Sequence, residues 1–472
     1  MDHDLIIIGG GAGGLSAARA ARWQGADVAL ISDGPLGGDC TFTGCVPSKT
    51  LIAAAKDGLS FGDAMTRVAE AVERVAATET PEVLRSKGVT VIEGRARLAT
   101  HDTVVVGERR VTAPRLVIAA GSSPQIPQVP GIETVETLTN EDIFSISDAP
   151  VSLGIIGGGP VGCELAQAFA GFGVEVTLFE AQQRLLTAEE PAASEVVARV
   201  LRSAGVDVRL GTAIERVEPA GQRAGNGRSV TLVSVDGTHQ VERLLVAVGR
   251  VPNSADMALE EIGVKMDARG FIEANDRLET SVRGVFAVGD VTGKLPFTHA
   301  ADEMGRLAAG NALGKGVRGR VRTHWVPWTT FTTPEVARVG MTESEAAARG
   351  GRVAELPLDE MDRAITDGAT QGFIKLIAGP RPVTRNAFGG KVLGATIVAP
   401  RAGEMIHEAA LAMRAGLFTG RLAQTVHAYP TWSYGIQKTA GQFFGEVEGR
   451  RARAASERSE QEREWRARAA QA

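Results

Sequence analysis

Residues 5–8, LIII, form a short apolar run that a glycine-rich segment stops, the pattern of a strand buried on both faces. The turn GGGAGG follows, then an alanine-rich amphipathic stretch to Trp23 and a second apolar run, DVALI, so residues 5–31 read strand, glycine turn, helix, strand. The same order returns at LGIIGGGPVGCELAQAFAGFGVEVTLFE, with Glu180 ending the later strand. Between the copies, residues 50–88 read as helical and VTVIEGRARL as strands, ending in the turn AAGSSPQIP. LLVAVGRVPN and GVFAVGDVTG are short apolar strands stopped by glycine, which reads as a return to the first domain. From Thr323 the pattern changes to longer strands (WVPWTTF, GFIKLIA, KVLGATIVA) and an amphipathic helix, AGEMIHEAALAMRAG. The predicted class is α/β. Two copies of this strand–turn–helix–strand unit are nested, in segments 1–148, 149–252 and 253–321, and an α+β domain follows over 322–448. A charged tail over 449–472, rich in Arg and Glu, reads as a solvated extension.

Composition narrows the partners. The formal net charge is −5 over 472 residues, which gives no field favouring nucleic acid or an anionic membrane. No apolar run is long enough to span a bilayer, and Met1–Asp4 lead straight into the first strand without a basic, cleavable leader. The expectation is a cytoplasmic protein with a small partner.

Gly9, Gly11 and Gly14 match G-x-G-x-x-G, and so do Gly157, Gly159 and Gly162. In this pattern the glycines permit a tight turn and let a pyrophosphate approach the helix N-terminus. One such match is weak, but two between a strand and a helix are much stronger.

Three cysteines in so long a chain exclude a disulfide framework. Cys163 reads as buried packing. Cys40 and Cys45 lie five apart in GGDCTFTGCVPSK. In an unbroken helix that spacing separates Cα atoms by roughly 8.6 Å, beyond the ~7 Å that a disulfide can bridge. If the two bond, Thr41–Gly44 must be unwound, and the bridge is then strained and easily reduced. Pro47 suits the first turn of a helix, which puts Cys45 beside a positive helix end that lowers a thiol pKa. Spacing alone leaves open a redox pair, a metal role or two cysteines that never bond.

Together these motifs, with FTTPEVARVG, resemble the class I pyridine nucleotide-disulfide oxidoreductases, which include glutathione reductase, dihydrolipoamide dehydrogenase and mercuric reductase. The resemblance spans residues 1 to about 448. It implies two Rossmann-like domains, FAD in the first and NADH or NADPH in the second, and a homodimer built through the C-terminal dimerisation domain, with no metal site of the protein's own. Cys45 resembles the thiolate that forms a charge-transfer complex with the flavin, and Cys40 the exposed thiol that meets substrate. Lys49 resembles the lysine beside the flavin, and Glu164 its acidic partner. FAD contacts are implied for Gly9, Gly11, Gly14, Lys49, Ala96, Gly121 and Asp290, and NAD(P)H contacts for Gly157, Gly159, Gly162, Glu180 and Gly249. Glu180 favours NADH, because a carboxylate there accepts a ribose 2′-hydroxyl and repels a 2′-phosphate.

Two departures shape the expected chemistry. Ser32, followed by Asp33, stands where an acid grips the FAD ribose, which implies a weaker or shifted contact. The His-Pro-Thr-x-x-Glu element of the disulfide reductases is here Tyr429-Pro430-Thr431-Trp432-Ser433-Tyr434, and these are the only two tyrosines in the chain. Tyrosine, with a pKa near ~10, is a hydrogen-bond donor and a poor base at neutral pH. Thiol–disulfide exchange should suffer, whereas a soft metal ion needs thiolates and no proton shuttle. The branch indicated is the mercuric-reductase-like one, although no cysteine follows Cys163 to deliver mercury. The expected acceptor is a metal ion or an unusual thiol-linked molecule. Alternatives are a thioether-cleaving enzyme resembling 2-ketopropyl-coenzyme M carboxylase, an ordinary lipoamide-type reductase, and a redox sensor or partner subunit.

Overall fold

The computed structural model describes residues 1–220, 229–314, 318–381 and 383–456. The chain forms two compact units, one of residues 1–128, 136–149 and 245–323, the other of 129–135, 150–244 and the chain from 324 onward.

The first unit is built on β1 (Leu5–Ile8), β2 (Val28–Ser32), β3 (Val89–Glu93), β4 (Leu116–Ile118) and the later strand Val285–Ala287. These lie parallel in the spatial order 285–287, β4, β1, β2, β3. Every residue of β1 and β2 is buried, which is why LIII and VALIS carry no alternating polar positions. Helix α1 (Ala12–Trp23) follows β1, while α2 (Gly38–Phe42) and α3 (Cys45–Lys56) follow β2. Two more helices complete the stretch read as helical, Phe61–Ala76 and Pro81–Ser86, capped by the hydroxyls of Ser60 and Thr80. An antiparallel sheet of 96–100, 103–106 and 109–112 shares the unit's apolar core.

The second unit opens on β5 (Ser152–Ile156), α4 (Pro160–Gly171), β6 (Glu175–Glu180) and β7 (Asp207–Leu210), with the three strands parallel. A six-stranded antiparallel sheet follows in the order 328–330, 335–340, 391–399, 373–379, 352–357 and 453–454. Helices Ala402–Arg414 and Tyr434–Gly441 contribute their apolar faces to its core. The fold is therefore α/β with a C-terminal α+β sheet, as the residue pattern predicts. Among the described residues no helix is long and apolar enough to cross a membrane.

The start of the charged tail is exposed, as expected of a solvated extension, but it is tied to the sheet as a strand and is not helical. Arg453–Ala454 adds an edge strand, Arg352 pairing with Ala454, and the Arg453 guanidinium binds Glu343, whose side chain is 1% exposed. A buried carboxylate needs cations, and a tail rich in arginine supplies one. The central Lys375, equally buried, lies 3.1 Å from Glu343, 3.4 Å from Glu355 and 3.6 Å from Glu190. Residues 457–472, the rest of the tail, lie outside the described residues.

Candidate redox and nucleotide sites

The two glycine loops are built alike. Gly9 has φ +112°, and a Cβ there would lie 2.2 Å from the Ala119 carbonyl oxygen. A Cβ on Gly14 would lie 1.9 Å from the Gly9 carbonyl oxygen. Gly11 differs: its backbone is extended (φ −80°, ψ −173°), and a Cβ there would meet nothing within 4 Å. Two glycines thus close the turn and the third leaves open space at the N-terminus of α1, whose first turn holds no acid. In the second loop Gly157 has φ +116°, a Cβ on Gly162 would lie 1.9 Å from the Gly157 oxygen, and Gly159 again faces open space. Each loop thus leaves open space, at Gly11 and at Gly159, in front of a helix N-terminus, the arrangement that suits an anionic group at the helix dipole.

The loops differ at the end of the next strand. Glu180 accepts hydrogen bonds from the Gly158 and Gln182 N–H groups, each at 2.7 Å, so its carboxylate is fixed beside the second loop. Ser32 instead donates to the Gly34 carbonyl at 2.9 Å, and Asp33 is exposed. Both line a cavity of about 630 Å³ that also presents Glu79 and Glu93. The Ala96 side chain lies in the first unit's core. Gly121 (φ +73°) and Gly249 (φ +132°) are left-handed turns of that same unit, so Gly249 does not belong to the unit of the other glycines assigned to NAD(P)H.

Cys40 lies on α2 and Cys45 is the first residue of α3. The helix is broken only at Thr43 (φ −136°) and Gly44 (φ −126°, ψ −111°), a shorter interruption than the expected Thr41–Gly44. Glycine makes it possible, since a Cβ at Gly44 would lie 2.8 Å from the Asp39 oxygen. Both cysteines are free thiols. Cys45 is exposed and Cys40 half-buried in the chain by itself, Cys45 standing at the head of its helix just after the break. The Cys40 thiol is pushed up, first by its hydrogen bond to Cys45, then by burial and by the Cys45 charge. The Cys45 sulfur also lies 3.4 Å from the Thr298 hydroxyl.

Beside the thiols runs a polar chain that the residue pattern does not single out. Arg250 binds Asp39, the neighbour of Cys40, and donates to the Ser122 hydroxyl at 2.7 Å. Ser122 in turn donates to Asp290 at 2.8 Å. Burial pushes the Asp290 carboxyl up, while Ser122 and Arg250 oppose it. Arg250 was readable only as the lone cation of the AVGRVPN turn.

Lys49 is half-buried on α3, one turn beyond Cys45 and so on the same helix face. Glu164, 4% exposed on α4, accepts from the Phe331 N–H at 2.8 Å. The two belong to different units. Cys163 is fully buried and burial pushes its thiol up, as packing cysteine requires.

Tyr429 and Tyr434 meet edge to face, with ring centroids 5.6 Å apart. The Tyr429 hydroxyl donates to Asp362 at 2.7 Å, and that bond pushes its pKa up. Asp362 is 67 residues away in sequence, and no local signal marks it. His427 engages both ring nitrogens, with Glu408 at 3.0 Å and the Thr425 carbonyl at 2.8 Å, so it takes no part in this pair.

Paired glycine cradles at two helix starts and a cysteine pair at a third define a flavin- and nucleotide-dependent thiol oxidoreductase. The chain belongs to the pyridine nucleotide-disulphide oxidoreductase family: residues 3–305 match that family and 326–440 its dimerisation domain. It is 34% identical to mercuric reductase of Staphylococcus aureus, over 94% of this chain and 83% of that one. It is 34% identical to dihydrolipoyl dehydrogenase of Thermus scotoductus, over 93% and 96%. The Cu(II) complex of RclA, a HOCl-induced flavoprotein disulfide reductase of Escherichia coli, superposes with TM-score 0.84 at 30% identity, covering 93% of this chain and 99% of that one. The protein is thus a flavoenzyme that uses FAD and NAD(P)H, and its dimerisation domain supports a homodimer.

Proposed function

We propose that this enzyme oxidises NADH and passes the electrons through Cys40 and Cys45 to a metal ion. The observation that carries the reading is the tyrosine pair. Where disulfide reductases need a group that titrates near neutrality, this chain offers a phenol whose proton is bound to Asp362 and whose pKa is raised. A thiol-linked organic acceptor would need that missing acid–base help, whereas a soft ion is bound by thiolate sulfur directly. Mercuric reductase and the Cu(II) complex of RclA carry a metal ion in their names, whereas dihydrolipoyl dehydrogenase and the disulfide reductase title of RclA name a thiol or disulfide substrate, so the names by themselves do not choose the acceptor.

In this reading Gly9, Gly11, Gly14, Ser32, Asp33, Lys49, Ala96, Gly121 and Asp290 hold FAD, while Gly157, Gly159, Gly162, Glu180 and Gly249 hold NADH. FAD, when bound, relays the electron pair of the nicotinamide hydride to the disulfide. Cys40 and Cys45 take up that pair with one proton, which stays on Cys40, while Cys45 is left as the thiolate at its helix start. Closing the disulfide then releases two electrons and the Cys40 proton, enough for one two-electron ion or two one-electron ions. Lys49 and Glu164 act at the flavin, and Tyr429 reaches the thiols of the partner subunit. The nested domains run over 1–148 with 253–321 and over 149–252, except that residues 245–252 cluster with the first; the dimerisation domain runs over 322–448.

An acceptor screen with the purified holoenzyme tests this. NADH oxidation should be faster with cupric or mercuric ion than with oxidised lipoamide or glutathione. Acid–base groups contribute typically ~10²- to 10⁴-fold, so the disulfides should lag by about that factor. Efficient lipoamide reduction by the unmodified enzyme overturns the reading.

A further inference from the structure

Tyr429 lies at the surface of the C-terminal sheet domain, 65% exposed, yet its hydroxyl is not left to water. Its single proton is donated to Asp362, the first residue of the short helix Asp362–Thr366. A phenol has one donor and two lone pairs. With the donor engaged, the oxygen can offer only electron density to anything else that approaches it.

The charge behind it is not neutralised. Arg363, next in sequence, is bound to Asp367 at 2.9 Å. Lys438 lies over the Tyr434 ring, 5.5 Å from its centroid, and its ammonium is held by Glu448 at 2.5 Å. Among the described residues no cation pairs with Asp362. Tyr434 meets the Tyr429 ring edge to face, with centroids 5.6 Å apart. The arrangement is an oriented oxygen acceptor backed by a full negative charge, supplied by an element other than the one that carries the tyrosines.

We propose that Asp362 is a positioning residue for the acceptor reaction, holding the Tyr429 proton so that the phenol oxygen faces the acceptor as an electron-pair donor, and that the Asp362–Tyr429 pair selects cationic acceptors over neutral or anionic ones. The proposal rests on the metal-ion reading above and deepens it. It also departs from the reading of tyrosine at this position as a hydrogen-bond donor. A metal cation approaching the thiols meets a lone pair and a favourable field, whereas a neutral disulfide, whose departing sulfur needs a proton, meets neither a donor nor an acid.

The chain's two tyrosines make the pair directly observable. In a Tyr434→Phe background, the ultraviolet phenolate signal of the full-length holoenzyme reports Tyr429 alone. Asp362→Asn should move that titration to lower pH, and Asp362→Glu should restore it. With cupric ion as the probe acceptor, Asp362→Asn should raise KM roughly tenfold with little change in kcat, the size expected for a charge-assisted hydrogen bond lost at the site. KM for oxidised lipoamide should not rise. An unmoved phenolate titration overturns the pair, whatever the acceptor. A moved titration with equal changes in KM for cupric ion and lipoamide overturns the cation selectivity. If the unmodified enzyme turns over no metal ion, the acceptor reading fails and the selectivity with it, while the titration still decides whether Asp362 holds the proton.

Discussion

Gly11→Ala separates cofactor binding from folding in a way the neighbouring glycines cannot. Gly11 has φ −80° and ψ −173°, a conformation that alanine adopts freely, and an added Cβ meets no protein atom within 4 Å. The variant chain should therefore fold, and by restricting the unfolded backbone it should gain about 0.4–1 kcal/mol in the absence of FAD. The methyl group occupies the space through which the pyrophosphate must come to reach the first N–H groups of α1. Overpacking at a fixed contact costs about 1–3 kcal/mol, so FAD affinity should fall by roughly tenfold to a hundredfold. Gly14→Ala is the contrast. Its Cβ would stand 1.9 Å from the Gly9 carbonyl oxygen, and because that atom is backbone no side chain can swing aside. Folding and binding should fail together. The assay is quenching of flavin fluorescence on titrating FAD into deflavinated protein, beside thermal unfolding of the same samples. Wild-type FAD affinity in Gly11→Ala would refute the placement of the pyrophosphate, and an unfolded Gly11→Ala would refute the claim that its surroundings are open.

Glu180, held by two backbone N–H groups at 2.7 Å, should give NADH at least about a tenfold advantage over NADPH in kcat/KM; Glu180→Gln should narrow it, and an unmodified enzyme that prefers NADPH would refute this role of Glu180. Lys375→Met leaves Glu190, Glu343 and Glu355 facing one another without their central cation and should cost about 3–5 kcal/mol at neutral pH in denaturant unfolding; a loss below about 1 kcal/mol would refute the network's role. Burial tends to raise Glu343, but Arg453 and Lys375 outweigh it and hold it near 2, against 4.5 for the free group. Its contribution is therefore complete above pH 4.5 and lost as the pH falls toward 2, so unfolding free energies of wild type and Lys375→Met should converge across that window.

What the sequence makes legible here is what sterics decide locally. A strand buried on both faces must be apolar throughout, and LIII reads as such. A turn that brings Gly14 against the Gly9 carbonyl tolerates no side chain, so the motif is visible without any knowledge of its surroundings. The Cys45 helix start is legible for the same reason, since Gly44 and Pro47 are local requirements of the chain's path. Three features were not legible, and each depends on a partner distant in sequence. Arg453 looked like one charge in a solvated tail, because nothing near it reveals that Glu343 is buried more than a hundred residues away and lacks a cation. Asp362 carries no local signal, because the phenol it binds lies in another element. Arg250, Ser122 and Asp290 come from three separate segments and become a chain only when the strands that carry them converge. The tyrosines show both sides of this. Their replacement of the histidine and the acid could be read from their positions, but which way the hydroxyl proton points could not, and that direction decides whether Tyr429 acts on the acceptor as an acid or as a ligand.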